Sequence, residues 1–303
     1  MRFATRAGWI GLLISAFGCA QPAPAAKTAA APATVPVVPS SAPAASAALP
    51  QERPEWRRHF EALHISGTTA LFDTQSGILA CSDVALCQRA VLPASTFKIP
   101  NSMIGLELGI LEDAETRLPW DGKQYDIPEW NRDNDLRTAI RVSCVPCYQA
   151  IARQVGTERM QEWVNRLDYG NHDISGGIDH FWLRGGMRIS PLQQVEFLRR
   201  FEAGKLPISP RTAEIVRDIM TLDVGPDHVL LGKTGLQVPP NATELTAWFV
   251  GFVELGQRRV FFATLVNRAD HGVDVKPLRR RVTESILREV QALPADAARA
   301  PAE

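Results

Sequence analysis

Apolar positions along the chain fall into blocks of helical spacing and blocks of strand spacing. Trp56, Phe60 and Leu63 recur at helical spacing in PEWRRHFEAL and predict an opening helix that lies on the core. Short β-prone runs flank TQSG in TTALFDTQSGILAC, which predicts a hairpin. In STFKIPNSMIGLELGIL, Met103, Leu106 and Ile110 keep helical spacing. A buried helix is therefore expected to begin near Ser95, with Pro100 close enough to its first turn to disturb little. From about Trp120 to Met220 the pattern is mainly helices and turns, carried by CYQAIARQVG, TERMQEWVNRL and SPLQQVEFLRRFEAG. HVLLGKTG, LTAWFVGFVEL and RRVFFATLVNR then read as three strands, the last two joined at Gly256, and PLRRRVTESILREVQAL reads as a closing helix. Strands at both ends of a helical middle predict an α+β/α fold: an antiparallel β-sheet flanked by helices, with an inserted all-helical lobe.

The two ends lack this patterning. Residues 1–19 carry Arg2 and Arg6 and then an apolar run from Trp9 to Phe17, too short to span a bilayer, and are expected to be an export signal peptide. Cys19 follows SAFG, which resembles the lipobox of bacterial lipoproteins. Lipidation of Cys19 and anchoring to the outer membrane is one expectation; ordinary cleavage in the Ala-rich PAPAAK stretch is the other. Residues 20–51, with seven prolines among alanines and serines, read as a tether, and 294–303 as an unstructured tail. The folded domain is expected to span 52–293, in the periplasm.

Composition narrows the function. Of 303 residues, 45% are hydrophobic and 22% charged, enough for a large core. Lys plus Arg and Asp plus Glu are both 33, with no basic block, so a nucleic-acid partner is not expected. The six histidines form no His-x-His or His-Glu-x-x-His cluster, so no metal is expected. Besides Cys19, the cysteines form two close pairs. Cys81 and Cys87 have a spacing easily bridged across a loop, and a disulfide is expected there. Cys144 and Cys147 could be a disulfide, buried fillers or a redox site.

The chemistry begins at PASTFKIPN. On a helix, positions i and i+3 share a face, so Ser95 and Lys98 can meet. A serine hydroxyl needs a base to become a nucleophile. An ammonium cannot serve: a reference pKa of ~10.4 must fall by about 3.4, or roughly 4.6 kcal/mol, to leave half the amine neutral at pH 7. Full burial supplies roughly 3 to 5 pH units, so a dry pocket suffices. The helix start also brings backbone N–H groups beside Ser95, suited to an oxyanion. Ser-x-x-Lys alone more often marks a capping serine and a solvated lysine. Lys233-Thr234-Gly235 follows, however, at the end of a β run. Lys233 offers positive charge, Thr234 a hydroxyl for a carboxylate, and Gly235 close approach of the strand. With a serine motif between them, these belong to the penicillin-recognising serine enzymes.

That middle motif is Ser143-Cys144-Val145. Together with PASTFKIPNSMIGLELG, RVSCVPCYQAIARQVG, DYGNHDISGGIDHFWLRGGMRISPLQQVEFLR, GKTG, AWFVGFVE and KPLRRRV, in this order over roughly residues 55 to 290, it resembles the class D β-lactamases, the oxacillinases. The resemblance implies the serine β-lactamase/penicillin-binding-protein fold and hydrolysis of β-lactam amides through an acyl-enzyme on Ser95. No cofactor is implied beyond CO2 or bicarbonate, which carboxylates the neutral amine of Lys98 to give a carbamate base. It further implies that Trp182 donates its indole N–H to that carbamate while Leu183 excludes water, and that Val145, in place of a polar asparagine, dries the pocket. Ser143 would shuttle a proton to the lactam nitrogen, and the backbone N–H groups of Ser95 and Leu236 would form the oxyanion hole. Arg279 matches the arginine that holds the substrate carboxylate; the bland alternative, a charged helix face, fits Arg280 and Arg281 better. Tyr169-Gly170-Asn171 matches the family's Tyr-Gly-Asn element. The rival is a β-lactam sensor or penicillin-binding protein that deacylates slowly, against which stand Val145, the Trp182 loop and the lack of a zinc-protease motif.

Overall fold

In the computed structural model, residues 49–237 and 245–295 are described. The signal peptide with Cys19, nearly all of the tether, most of the tail and the stretch 238–244 after the third motif lie outside them. The chain runs β1 (Gln51–Glu52), α1 (Arg57–Glu61), β2 (Ile65–Asp73), β3 (Leu79–Cys81), α2 (Val84–Gln88) and α3 (Lys98–Glu107). The helical middle follows: a small ribbon of β4 (Arg117–Leu118) and β5 (Asn134–Asp135), then α4 (Leu136–Arg141), α5 (Val145–Val155), α6 (Thr157–Leu167), α7 (Pro191–Glu202) and α8 (Pro210–Met220). It closes with β6 (Thr221–Val224), β7 (Val229–Gln237), β8 (Thr246–Leu255), β9 (Arg258–Ala269) and α9 (Val275–Glu289).

Both ends of the sequence meet in one seven-stranded sheet of order β1-β3-β2-β9-β8-β7-β6. The predicted hairpin forms as β2 and β3. Its partner β9 folds back on β8 over a two-residue turn in which Gly256 has φ 60°, a conformation glycine takes without a Cβ clash. The expected all-antiparallel sheet needs one correction: β1 pairs with β3 in parallel, because β1 arrives from the preceding tether and no hairpin dictates its direction.

β8 is buried on both faces. Ala247, Phe249 and Val253 face a layer closed by α1 and α9, where Trp56, Phe60, Val282 and Ile286 pack. Trp248, Val250 and Phe252 face the larger core under the helical middle. Period-2 alternation with both sets apolar marks a central strand covered on both sides.

Two further expectations change. The helix expected from Ser95 starts as a 3-10 turn over Ala94–Phe97, and α3 proper begins at Lys98. Pro100 has no N–H, so Thr96's carbonyl lacks the donor an α-helix through Ser95 would need. The predicted Cys81–Cys87 disulfide is absent: both are free, buried thiols. Asp83 caps α2 through the N–H of Leu86, so the segment between the cysteines is not a free loop. The Cys87 thiol sits 3.1 Å from Thr68 Oγ1. The hydrogen bond that its S–H donates to Cys87, together with burial, pushes the Cys81 thiol's pKa far up.

Candidate active site

Ser95 lies in the 3-10 turn, entered through Ala94 at φ 49°, a left-handed conformation of the kind non-glycine residues hold when surrounding structure fixes it. The Ala94 N–H donates to Trp182 O at 3.0 Å, which ties the turn to the Trp182 loop. On the other side runs the end of β7, whose outer edge is free because β6 pairs only with Val229–Leu231. A Cβ on Gly235 would stand 3.0 Å from Pro93 O and 3.3 Å from Ser95 N, so glycine lets the strand sit against the nucleophile's backbone. The Leu236 side chain packs into the α9 layer, leaving only its backbone for the site.

Ser95 keeps 8% of its surface and Lys98 none, so the hydroxyl can be reached while the amine stays dry. Lys98 Nζ lies 3.1 Å from Ser95 Oγ. Burial lowers its pKa to about 7. The Tyr148 ring lies 5.1 Å from Nζ, and Tyr148 OH and Lys98 O are both hydrogen-bonded to Ser102 Oγ, each at 2.8 Å. Tyr148 and Ser102 were not singled out in the sequence. Their signal was available: Tyr148 falls one helical turn after Val145, and Ser102 one turn after Lys98.

Trp182 is fully buried and stacks on Phe97 at 5.4 Å. Its Nε1 has no hydrogen-bond partner, an uncommon state for a buried indole N–H. Leu183 beside it is half-buried against the larger core, and Val145, also half-buried, opens α5.

The second serine faces the second lysine: Lys233 Nζ donates to Ser143 Oγ at 3.1 Å and to Thr234 O at 2.9 Å. Ser143 has φ 56° and is followed at once by the Cys144–Cys147 disulfide, which spans 5.4 Å between Cα atoms. Thr234 is half-buried. Arg279 reaches from α9 to Gly235 O at 2.8 Å, and its buried Nε is unpartnered. Burial brings the Arg279 pKa down to about 10; burial, then the Lys98 and Arg279 charges, hold Lys233 well below the usual ammonium range. Among the described residues none of these three cations is paired with a carboxylate, so the pocket is built for anions it does not itself contain.

Tyr169, Gly170 and Asn171 frame the site from behind. Tyr169 is buried edge-on to Phe97, with its hydroxyl 3.4 Å from Thr96 Oγ1. Gly170 has φ 62°, and a Cβ there would meet Arg188 O at 2.3 Å. Asn171 Oδ1 accepts from the Arg188 N–H at 2.9 Å and Asn171 Nδ2 donates to Gly186 O at 3.0 Å, closing the loop that carries Trp182. The structure thus gathers the motif residues of the nucleophile, the two lysines, the arginine and the Trp182 loop in one place. No group of three or more His, Cys, Asp or Glu that could hold a metal ion is found among the described residues.

Comparison with known proteins points the same way. Residues 67–290 match the penicillin binding protein transpeptidase domain family. The chain is 39% identical over 246 residues to the β-lactamase OXA-48 of Klebsiella pneumoniae, covering 80% of this chain and 91% of that one. It is 40% identical over 237 residues to OXA-10 of Pseudomonas aeruginosa, covering 78% and 88%. A class D β-lactamase structure, YbXI from Nostoc, superposes with a TM-score of 0.75 at 38% identity, covering 78% of this chain and 99% of that one.

Proposed function

The chain belongs to the class D serine β-lactamases, and on that premise we propose how its residues share the work. The enzyme hydrolyses the amide bond of β-lactam antibiotics and so confers resistance to them. In our reading Ser95 Oγ attacks the lactam carbonyl, and the N–H groups of Ser95 and Leu236 receive the oxyanion. Lys98 takes the serine proton, Ser143 passes a proton to the departing lactam nitrogen with Lys233 beside it, and Arg279 with Thr234 holds the substrate carboxylate.

The observation that carries this reading is a neutral-capable lysine in a pocket short of anions. With a pKa of about 7, Lys98 is half amine at neutral pH and can react with CO2. A carboxylate gained on Nζ supplies an anionic base, and the residues present fit it. The unpartnered Trp182 Nε1–H provides a donor, and the unpaired Lys233 and Arg279 provide charge. Leu183 and Val145 limit the water that competes with it. The leader and Cys19 support export to the periplasm with attachment to the outer membrane. A Cys19→Ser variant is expected to shift the protein from the membrane to the soluble fraction.

The test is hydrolysis of a chromogenic cephalosporin by the mature protein, in degassed buffer and with added bicarbonate, as full progress curves. Sustained turnover that rises with bicarbonate is expected. One stoichiometric burst, indifferent to bicarbonate, would reject the proposed base.

A further inference from the structure

We propose that the Cys144–Cys147 disulfide positions Ser143, and that opening it slows β-lactam turnover while leaving the enzyme folded. The proposal rests on the reading of Ser143 as proton donor.

Ser143 is the single residue between the C-cap of one helix, Val142, and the N-cap of the next, Cys144. Its N–H and that of Cys144 close α4 on Ile140 O (3.3 Å) and Ala139 O (2.8 Å). Its φ of 56° is one that L-residues avoid unless both flanks hold it. The α4 flank is held by those two bonds. The α5 flank is held by sulfur: Cys144 is the N-cap and its Sγ accepts from the Cys147 N–H at 3.2 Å while also being bonded to Cys147. Pro146 between them has no N–H, so the Cys147 amide is the inner donor left to cap in that first turn.

Elsewhere the same chain caps helices with oxygen, from Asp135 on α4, Ser190 on α7 and Ser209 on α8. Capping alone therefore does not require sulfur at Cys144. What a covalent bridge adds is a fixed first turn, and that turn lies between two residues that face the catalytic lysines. Ser143 Oγ meets Lys233 Nζ at 3.1 Å, and the Tyr148 ring meets Lys98 Nζ at 5.1 Å. Loss of the bridge frees the backbone of Ser143 first, because Tyr148 is further secured by Ser102.

The chemistry of opening is simple. A small dithiol such as dithiothreitol gives up two electrons and two protons, leaves as its cyclic disulfide, and converts the bridge to two thiols. Of the two cysteines only Cys147 keeps any surface, 8%, and Cys144 is fully buried, so attack is expected from the Cys147 side.

The experiment measures kcat and KM of the full protein on a chromogenic cephalosporin before and after dithiothreitol, with mass spectrometry after alkylation to count the opened bridge. The same measurements are made on the Cys144→Ser/Cys147→Ala variant, which keeps a capping oxygen and needs no reductant. We expect kcat to fall about tenfold and KM to stay within about twofold in both, with reoxidation restoring the reduced enzyme. In a Ser143→Ala background the same opening should cost almost nothing further, the non-additivity that a device acting through Ser143 requires. An unchanged kcat in the double-cysteine variant, or losses that simply multiply in the Ser143→Ala background, would overturn the proposal. Wild-type turnover by Ser143→Ala alone would instead reject the proton-donor reading on which it stands.

Discussion

Two groups of buried or half-buried cations sit in this molecule under opposite rules. At the end of the sheet away from Ser95, Arg217 is ion-paired to Glu202 and Glu254, and Arg259 Nε lies 3.2 Å from Glu202 and 3.5 Å from Glu254. Burial alone would lower the Arg217 pKa, but the bond to Glu254 and the charge of Glu202 more than reverse it. In the active site Lys98 and Lys233 are buried and Arg279 half-buried, yet none is ion-paired to a carboxylate; Asp274 offsets the Arg279 charge only in part, and all three pKa values fall. A cation that has its counter-charge holds structure together. A cation denied one is destabilised, and that instability is released when an anion arrives, here a carboxylated lysine or a substrate carboxylate.

The sharpest way to break this contrast is Lys98→Met. Removing the base should lower kcat by about a thousandfold or more. It should also stabilise the fold by about 1 to 4 kcal/mol, since a buried, unpaired ammonium is replaced by an apolar chain of similar length. The pH dependence follows from the depressed pKa. Between about 7 and the ordinary 10.5 the folded protein binds fewer protons at Lys98 than the unfolded chain. The penalty is thus complete below pH 7 and fades as pH rises towards 10.5, a span of about 5 kcal/mol by linkage. Thermal melts in bicarbonate-free buffer from pH 6 to 10 should show a steeper rise in the wild type than in Lys98→Met, which keeps only the part that the depressed Lys233 contributes. Equal slopes would mean that Lys98 is not the strained group.

The second test is Arg279→Ala, expected to lower kcat/KM about a hundredfold, mostly through KM. Comparing a β-lactam with its methyl ester separates two roles. If Arg279 binds the carboxylate, the variant loses the preference for the acid; if it only holds Gly235 O, acid and ester fall together.

The contrast also explains what could be read in advance. Ser95 and Lys98 are neighbours in sequence, and their meeting needs only a helical turn; Lys233-Thr234-Gly235 was recognisable because a strand end and its motif are local. The strands at the two ends of the domain were legible from β-rich runs and the helical middle from its spacing. What the sequence hid was relational. That Lys98, Lys233 and Arg279 converge without a paired carboxylate is a product of the sheet and α9. Whether Cys81 bonds Cys87 depended on how Asp83 caps α2, which spacing does not reveal. The 3-10 start of α3 and the parallel β1 pair were likewise set by one missing amide and by a chain entry, both too small to shift the hydrophobic pattern.

A smaller effect sharpens the anion side of the comparison. Trp182→Phe keeps the aromatic stack on Phe97 and removes the buried indole N–H that lacks a partner there. The bicarbonate concentration needed for half-maximal turnover should rise about tenfold, the worth of one hydrogen bond to a charged acceptor. Saturating bicarbonate should recover most of kcat. A loss of kcat that bicarbonate does not rescue would assign Trp182 to packing alone.

The smallest expected effect is on the other side. Glu254→Gln removes one of the carboxylates around Arg217 and Arg259 but leaves Glu202 bonded to both. Because the arginines are 31% and 24% exposed, water softens the loss, and about 1 kcal/mol of stability is expected to go. Turnover should stay within about twofold at every bicarbonate concentration. This cluster has no anion left to recruit, so its charge is spent on holding α7, α8 and the β8–β9 hairpin together. A bicarbonate-dependent change in Glu254→Gln would show that the two cation clusters communicate, and the division between structural and recruiting charge would have to be redrawn.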